Sequence, residues 1–372
     1  MSTTYDIAIL GAGPVGLAGA SLAAKKGLSV AVLNPPSEST DPPISEWVPP
    51  QFFKQEGMPG GLIRGTSAKE FRRVVYHNSG RDETVLYKAR KAAGYLLNME
   101  DLTAQLKQEA TDAGVKIRNT KTAPTIKLEE DHVQLTGTTQ VRAKMLIACE
   151  GQPHSVIGEL AIPMRTVPRS SLTVAALDIP IQEQDLSKDA RNSLNVVEMP
   201  ERSELGMFFA TETALHLRVV SSSAASGNRA EELSQMLAGL QEAGRLPTDL
   251  SLGRAKGAVW RPPSGVALEL ETHVAKRCLL AGTAGGFVGS ITGHTLMPGA
   301  LSMGLAVDAM EKALKSDNPQ DTLMGYKKAW RKQMADYLRP PNTSLHMLLP
   351  LLFVNRRIVS KFTRALLYGE NI

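Results

Sequence analysis

From Tyr5 onward a strand, a glycine-rich turn, a helix and a second strand follow one another without interruption, and this stretch limits the possible folds most tightly. Asp6-Ile7-Ala8-Ile9-Leu10 reads as a buried strand, and Gly11-Ala12-Gly13-Pro14-Val15-Gly16 forms the turn. A helix of small residues is expected over 17–26, then Ser29-Val30-Ala31-Val32-Leu33 as the next strand. Each glycine has its own physical task in such a unit. Gly11 permits the tight turn, Gly13 lets a pyrophosphate approach the backbone, and Gly16 lets the helix lie close on the strand. The first N–H groups of the helix and the positive end of its dipole then face an anion. The competing expectation is a βαβ unit that keeps the turn for packing and binds nothing.

A chain of 372 residues has room for two domains or one large composite fold, and 42% apolar residues make it globular rather than disordered. The net charge of +5, from 42 basic and 37 acidic residues, is too small to argue for nucleic acid, and no such partner is expected. Cys149 and Cys278 each sit in an apolar run and read as core residues, not as a disulfide or metal pair. The first strand opens close to the N-terminus, so no signal peptide is expected. No apolar run reaches the ~20 residues that span a bilayer. A cytoplasmic protein is expected, with membrane contact only from one side.

An acidic residue would normally close the second strand and hold ribose hydroxyls; Asn34 stands there, followed by Pro35-Pro36. Residues 35–61, rich in Pro, Ser and Gly, read as an excursion in which Trp47, Phe52 and Phe53 form either an aromatic wall or the anchor of a short helix. Strands of a second sheet are expected over 72–77 and 84–88. The chain then returns through Gly94-Tyr95-Leu96 to a helix over 99–113, with Asn98 as N-cap and Leu102, Leu106 and Ala110 on one face. A strand over 115–118, a hairpin over 124–135 and a buried strand over 144–149 follow. Period-two patterning then marks antiparallel strands over 172–179, 194–199, 205–210 and 214–220, and a helix is expected over 230–243. Arg277-Cys278-Leu279-Leu280-Ala281 is one more buried strand.

These residues, taken in order, resemble flavoproteins of the p-hydroxybenzoate hydroxylase clan, which includes ubiquinone-pathway hydroxylases, geranylgeranyl reductases and flavin-dependent halogenases. Four elements carry the resemblance: the turn from Gly11 to Gly16 with Ala20 behind it; the strand-helix-strand over 95–118; Ala148-Cys149-Glu150-Gly151 with Ser155; and the run from Leu280 to Val288 with Thr292-Gly293 and Asp308-Ala309. The Gly286-Phe287-Val288 step looks most like the reductase and halogenase branches. The resemblance implies an α/β fold: a Rossmann-like FAD-binding domain of glutathione-reductase type over 1–36, 94–160 and 276–316. A mostly antiparallel substrate domain over 37–93 and 161–275 would be inserted in it, with C-terminal helices over 317–372. It also implies FAD, with NAD(P)H a candidate electron donor. Gly11, Ala12, Gly13, Pro14, Val15, Gly16, Asn34, Asn98, Glu150, Gly151, Gly282, Thr283, Gly293, Pro298 and Gly299 are the expected cofactor contacts.

The departures fall mainly on those contacts. Thr283 replaces the clan's ribityl-binding aspartate, Ser290 a proline, Thr295 a glycine that approaches the flavin, and Leu97-Asn98 stand where an arginine is common. Each lost charge-assisted hydrogen bond costs roughly 1.5–3 kcal/mol. Pro298 and Gly299 offer a partial rescue by opening a helix whose first amides would face the flavin ring. No metal spacing or protein triad is evident, and His294 is the candidate catalytic residue, as acid, base or flavin-side donor, against an ordinary loop histidine. The expected function is an FAD-dependent oxidoreductase acting on a hydrophobic organic substrate by reduction, oxygenation or halogenation. The alternative is a degenerate flavoprotein fold serving as a cofactor-free scaffold for a ligand or partner. At the C-terminus, Tyr326, Trp330 and Met334 share a helical face, and Arg356, Arg357, Lys361 and Arg364 oppose Ile358, Phe362 and Leu366. Residues 345–372 therefore read either as a peripheral membrane contact or as a helix pair packed over the substrate domain with a solvated basic face.

Overall fold

A computed structural model describes residues 4–36, 47–59, 61–65, 68–149, 159–160, 162, 172–182, 185–200, 204–221, 229–250, 252–339 and 345–370. The opening unit is β1 (Thr4–Leu10), α1 (Pro14–Lys25) and β2 (Val30–Asn34). Ile7 and Ile9 of β1 enter one core while Ala8 and Leu10 enter another, so the strand is buried on both faces, as an apolar run in a parallel sheet should be. The excursion carries β3 (Trp47–Val48), β4 (Lys69–Phe71), β5 (Arg73–His77) and β6 (Thr84–Lys88). It ends at β7 (Gly94–Leu96), and then α2 (Met99–Asp112) leads into β8 (Lys116–Asn119). The hairpin β9 (Thr125–Leu128) and β10 (Val133–Thr136) feeds β11 (Val141–Ala148).

The middle of the chain forms β12 (Thr173–Pro180), β13 (Ser193–Glu198), β14 (Glu204–Ala210), β15 (Ala214–Ser221), α3 (Arg229–Glu242) and β16 (Lys256–Trp260). Then come β17 (Val274–Ala275), β18 (Cys278–Leu280), α4 (Leu296–Leu314), α5 (Pro319–Leu338), α6 (Leu345–Val354) and α7 (Arg356–Tyr368). Two larger sheets result. One runs β17-β18-β11-β1-β2-β8, with β10 and β9 added on β11. Its strands β18, β11, β1, β2 and β8 are parallel neighbours. The other runs β16-β12-β15-β14-β13-β5-β6 and is antiparallel except where β5 meets β13. A small sheet, β3-β7-β4, stands beside them. This is the α/β architecture with an added antiparallel sheet that the sequence implies.

Alternation divides the second sheet's two faces. Ala175, Leu215, Leu217 and Val219 pack under Leu233, Met236 and Leu240 of α3. Val174, Met207, Phe209 and Val220 face the other way, in a core shared with Leu349 and Leu352 of α6 and Phe362 and Leu366 of α7. The C-terminal helices thus pack over this sheet and leave their basic face outward. Pro350, expected to break the apolar run, lies inside α6. In so short a helix it removes one backbone bond, and burial of Leu349 and Leu352 holds the segment.

Candidate functional site

The glycine turn is built as its sequence requires. Gly11 has φ of 117°, open to glycine without strain, and its amide donates to Leu33 O at 2.8 Å. A Cβ on Gly16 would stand 2.1 Å from Gly11 O and 2.9 Å from Cys149 Sγ, so this position closes the turn against the end of β11. Gly13 is extended (φ −72°, ψ 177°) and caps α1 without a side chain, and Pro14 follows at the first helical position. The amides of Val15 and Gly16 have no acceptor among the described residues. The start of α1 is therefore an anion-seeking end at these two amides.

Two later segments meet this turn. Gly282, at φ of 53°, lies so close to Cys149 that an added Cβ would be 2.5 Å from Cys149 O, and Thr283 Oγ1 donates to the same carbonyl at 3.4 Å. The Gly282 amide donates to Ser302 Oγ (3.0 Å), and Ser302 Oγ donates to Gly299 O (2.8 Å). Gly299 in turn admits Val15, whose Cγ2 would be 2.7 Å from a Cβ there. The turn from Gly11 to Gly16, the loop at Gly282 and the start of α4 thus converge on Val15 and Cys149.

Other expected contacts are placed differently. α4 begins at Leu296 after Thr295, so Pro298 and Gly299 lie inside its first turn instead of opening it. Proline is tolerated there because the third helical N–H has no intrahelical partner to lose. Asn34 donates to Asn119 Oδ1 at 3.0 Å on the neighbouring strand. Asn98 Oδ1 accepts from the amides of Glu100 and Asp101 (2.9 and 3.2 Å), so it caps α2. Gly293 has φ of 71° and lies against Pro262 and Val174. Glu150 and Gly151 fall outside the described residues.

His294 is 2% exposed, stacked on Trp47 with centroids 4.8 Å apart, and its Nε2 accepts from the Met297 amide at 3.3 Å. That bond takes one of the first amides of α4 and leaves the proton on Nδ1, which has no partner among the described residues. Burial pushes the imidazole down to about 3, so it is neutral across the physiological range. It borders a small enclosed cavity together with Trp47, Val174, Met207, Phe209, Arg218 and Thr292.

Arg218 and its partners are the feature that the sequence reading missed. Arg218 is 1% exposed and donates to Asp178 Oδ1 at 2.6 Å, while His216 Nδ1 lies 3.0 Å from the same oxygen. Burial alone would raise the Asp178 carboxyl; the His216 hydrogen bond and the Arg218 charge outweigh it and hold it below the usual carboxylate range. A signal existed in Leu215-His216-Leu217-Arg218, where polar residues alternate with apolar ones in a strand that is otherwise buried. His273 is a second omission. It donates from Nε2 to Gly285 O (3.0 Å) within an aromatic box of Phe287, Tyr326 and Trp330, and so ties α5 to the Gly282 loop.

Among the described residues no group of three or more His, Cys, Asp or Glu side chains could hold a metal, and no helix is long and apolar enough to cross a membrane. Digeranylgeranylglycerophospholipid reductases of Methanosarcina acetivorans and Methanosphaerula palustris are 28% identical over 163 residues and 31% over 159. The matches cover 42% and 41% of this chain but 40% and 39% of those proteins, so the chain spans about two fifths of the length of these relatives. Solved structures share the fold over nearly the whole chain. A geranylgeranyl bacteriochlorophyll reductase-like protein of Thermoplasma acidophilum superposes with a TM-score of 0.76 at 15% identity, covering 100% of this chain and 98% of that one. The p-nitrophenol 4-monooxygenase of Pseudomonas putida gives 0.70 at 18% identity, covering 98% and 94%. Residues 4–240 match the FAD binding domain family, and the chain belongs to that family.

Proposed function

We propose that the protein is an FAD-dependent oxidoreductase acting on a hydrophobic organic molecule, with a prenyl lipid the leading substrate class and NAD(P)H the electron donor. One observation carries this reading: the glycine turn, whose Val15 and Gly16 amides have no acceptor among the described residues, converges with the Gly282 loop and the start of α4, next to a small enclosed cavity of mixed polar and apolar lining bordered by His294. The backbone fits the cofactor, because a side chain at Gly11 would be strained at φ of 117° and one at Gly16 would stand 2.1 Å from Gly11 O, closing the cradle. Ala12, Pro14, Val15 and Gly16 would line the pyrophosphate with Gly11 and Gly13, and Asn34 would serve the ribose. Asn98, Glu150, Gly151, Gly282, Thr283, Gly293, Pro298 and Gly299 complete the proposed contact set. When bound, the flavin supplies the electron transfer. Trp47, Val174, Met207 and Phe209 form the apolar side of a cavity of about 10 Å³, room for a water-sized group, so a substrate would have to open it to lie against this wall. His294 keeps its Nδ1 proton and offers it as a hydrogen bond to a substrate or flavin oxygen; with a pKa near 3 it does not titrate as an acid or base.

The prenyl-lipid reading draws on the reductases that match part of the chain, and a substrate of that kind is met at a bilayer, through the C-terminal segment 345–372. A second reading, a cofactor-free scaffold, is favoured by one set of facts: Asn34, Asn98 and Thr283 already spend side-chain hydrogen bonds inside the protein, on Asn119 Oδ1, the Glu100 amide and Cys149 O. The visible spectrum of the purified protein separates the two. A yellow protein, or a colourless one that takes up added FAD with quenching of the free flavin's fluorescence, is the expected result. A protein that stays colourless in excess FAD would leave only the scaffold. Once flavin is bound, His294→Gln should slow turnover about tenfold or more without moving the pH dependence between 5 and 8. A shifted pH profile would instead make this imidazole a titrating catalyst.

A further inference from the structure

A groove of about 730 Å³ runs between α7 and the segment joining β6 to β7, away from the cavity at His294. Arg72, Arg90, Lys91 and Arg364 line it. Two of these cations are matched within the fold, Arg72 by Glu70 and Arg364 by Glu370 (2.7 Å). Arg90 and Lys91 are exposed and have no acidic partner among the described residues. Tyr368 closes the groove's floor by donating to Ala93 O at 3.1 Å.

The groove continues onto a helix face of one charge. Arg356, Ser360, Arg364 and Tyr368 are four residues apart and so lie along one line of α7, with exposed Arg357 and Lys361 beside it. No residue of α7 is acidic. Its other side is fixed, because Val359, Phe362 and Leu366 are buried on the second sheet. Just before α7 begins, the last turn of α6 exposes Leu351 (42%) and Val354 (84%). Two aliphatic side chains stand singly at a corner beside more cations than acids: the groove's Glu70 and Glu370 are taken up by Arg72 and Arg364, which leaves Arg90, Lys91 and the exposed Arg356, Arg357 and Lys361. A protein partner would call for a contiguous apolar patch with a packed centre. A bilayer surface calls for what is present: aliphatic tips that enter the interface and cations that meet phosphates.

We propose that the α6–α7 corner is a docking surface for an anionic phospholipid bilayer, with Val354 and Leu351 entering the interface and Arg90 and Lys91 seating a phosphate headgroup in the groove. The proposal deepens the membrane part of the function proposed above. It is measured separately from the flavin, so either can fail alone.

Flotation with vesicles of phosphatidylcholine, with and without phosphatidylglycerol, tests it on the full chain. The protein should float with the acidic vesicles only, and high salt should release it. Each cation near such a surface contributes about fivefold in binding. The double charge reversal Arg90→Glu, Lys91→Glu should therefore weaken binding by well over about twentyfold, and Val354→Asp should weaken it as well. Both variants should keep the wild-type circular dichroism spectrum and FAD uptake, which separates lost docking from lost folding. Excess soluble glycerol phosphate should not release the protein, because it offers no interface for Val354. Equal binding to neutral vesicles, absence of binding, unchanged binding of the variants, or capture of glycerol phosphate without vesicles would each overturn the proposal. So would a dimer in sedimentation that Val354→Asp converts to monomer.

Discussion

Gly16 concentrates the argument at the scale of one residue, because its missing side chain serves both packing and the anion site. The space for a Cβ is already filled by Gly11 O at 2.1 Å, and backbone cannot yield as a flexible side chain does. Gly16→Ala must push α1 away from the turn, and the free amides of Val15 and Gly16 move with it. The expected cost is on the order of 3 kcal/mol in denaturant unfolding, together with loss of FAD uptake. Gly27→Ala is the useful contrast: its φ of 83° is strained for alanine, yet nothing lies within 4 Å, so stability should fall while uptake survives. If Gly16→Ala instead took up FAD as the wild type does, the turn would not hold the pyrophosphate. The Gly11–Gly16 pattern could be read from sequence because its chemistry is local. His294 was singled out by position alone, and its stack on Trp47 could not be anticipated, since the two are brought together only by the fold.

Among the elements, α2 shows how one residue can fit two expectations. Asn98 was expected at the cofactor and also as a helix cap, and the structure commits its Oδ1 to the cap. Asn98→Ala should lower stability by about 1 kcal/mol, and Asn98→Ser should restore most of it, because a hydroxyl accepts the same amides. Equal losses in both variants, read from urea midpoints, would mean that capping is not what the side chain contributes. The strands of both sheets were legible because apolar period and burial coincide in them. The Asp178–His216–Arg218 cluster was not assembled from sequence. Its charges sit on β12 and β15, whose antiparallel pairing sets Asp178 opposite His216. A β15 register one residue away would send His216 and Arg218 to the α3 face and leave Asp178 without them.

Across the molecule, three of the buried imidazoles among the described residues, His77, His273 and His294, tie separate segments together, and burial holds each neutral. His77 joins β5 to β13 through Asn195 Oδ1 at 3.0 Å, and burial, with Arg245 and Arg81 near it, pushes it down to about 4. His273 joins the Gly282 loop to α5, and burial, with Lys327 and Arg331 near it, pushes it down to about 3. His294 joins the start of α4 to the second sheet and is pushed as low by burial. Above pH 6.5 neither the folded nor the unfolded chain protonates these groups, and stability is independent of them. Below it the unfolded chain binds protons that the native state refuses, so stability falls with pH until the folded values near 3–4 are reached. Each imidazole contributes a slope on the order of 1 kcal/mol per pH unit. The paired carboxylates Asp6 and Asp178, both lowered in the native state, add to the loss at still lower pH. Urea midpoints taken between pH 7.5 and 4 should therefore decline steadily from about 6.5. Replacing His77 with Gln should flatten one share of that decline, because an amide can still bond Asn195 but takes up no proton. Midpoints that hold level from pH 7 to 4 would mean that these imidazoles are reached by solvent and titrate in the native protein, and the neutral state of His294 on which its donor role depends would fall with them.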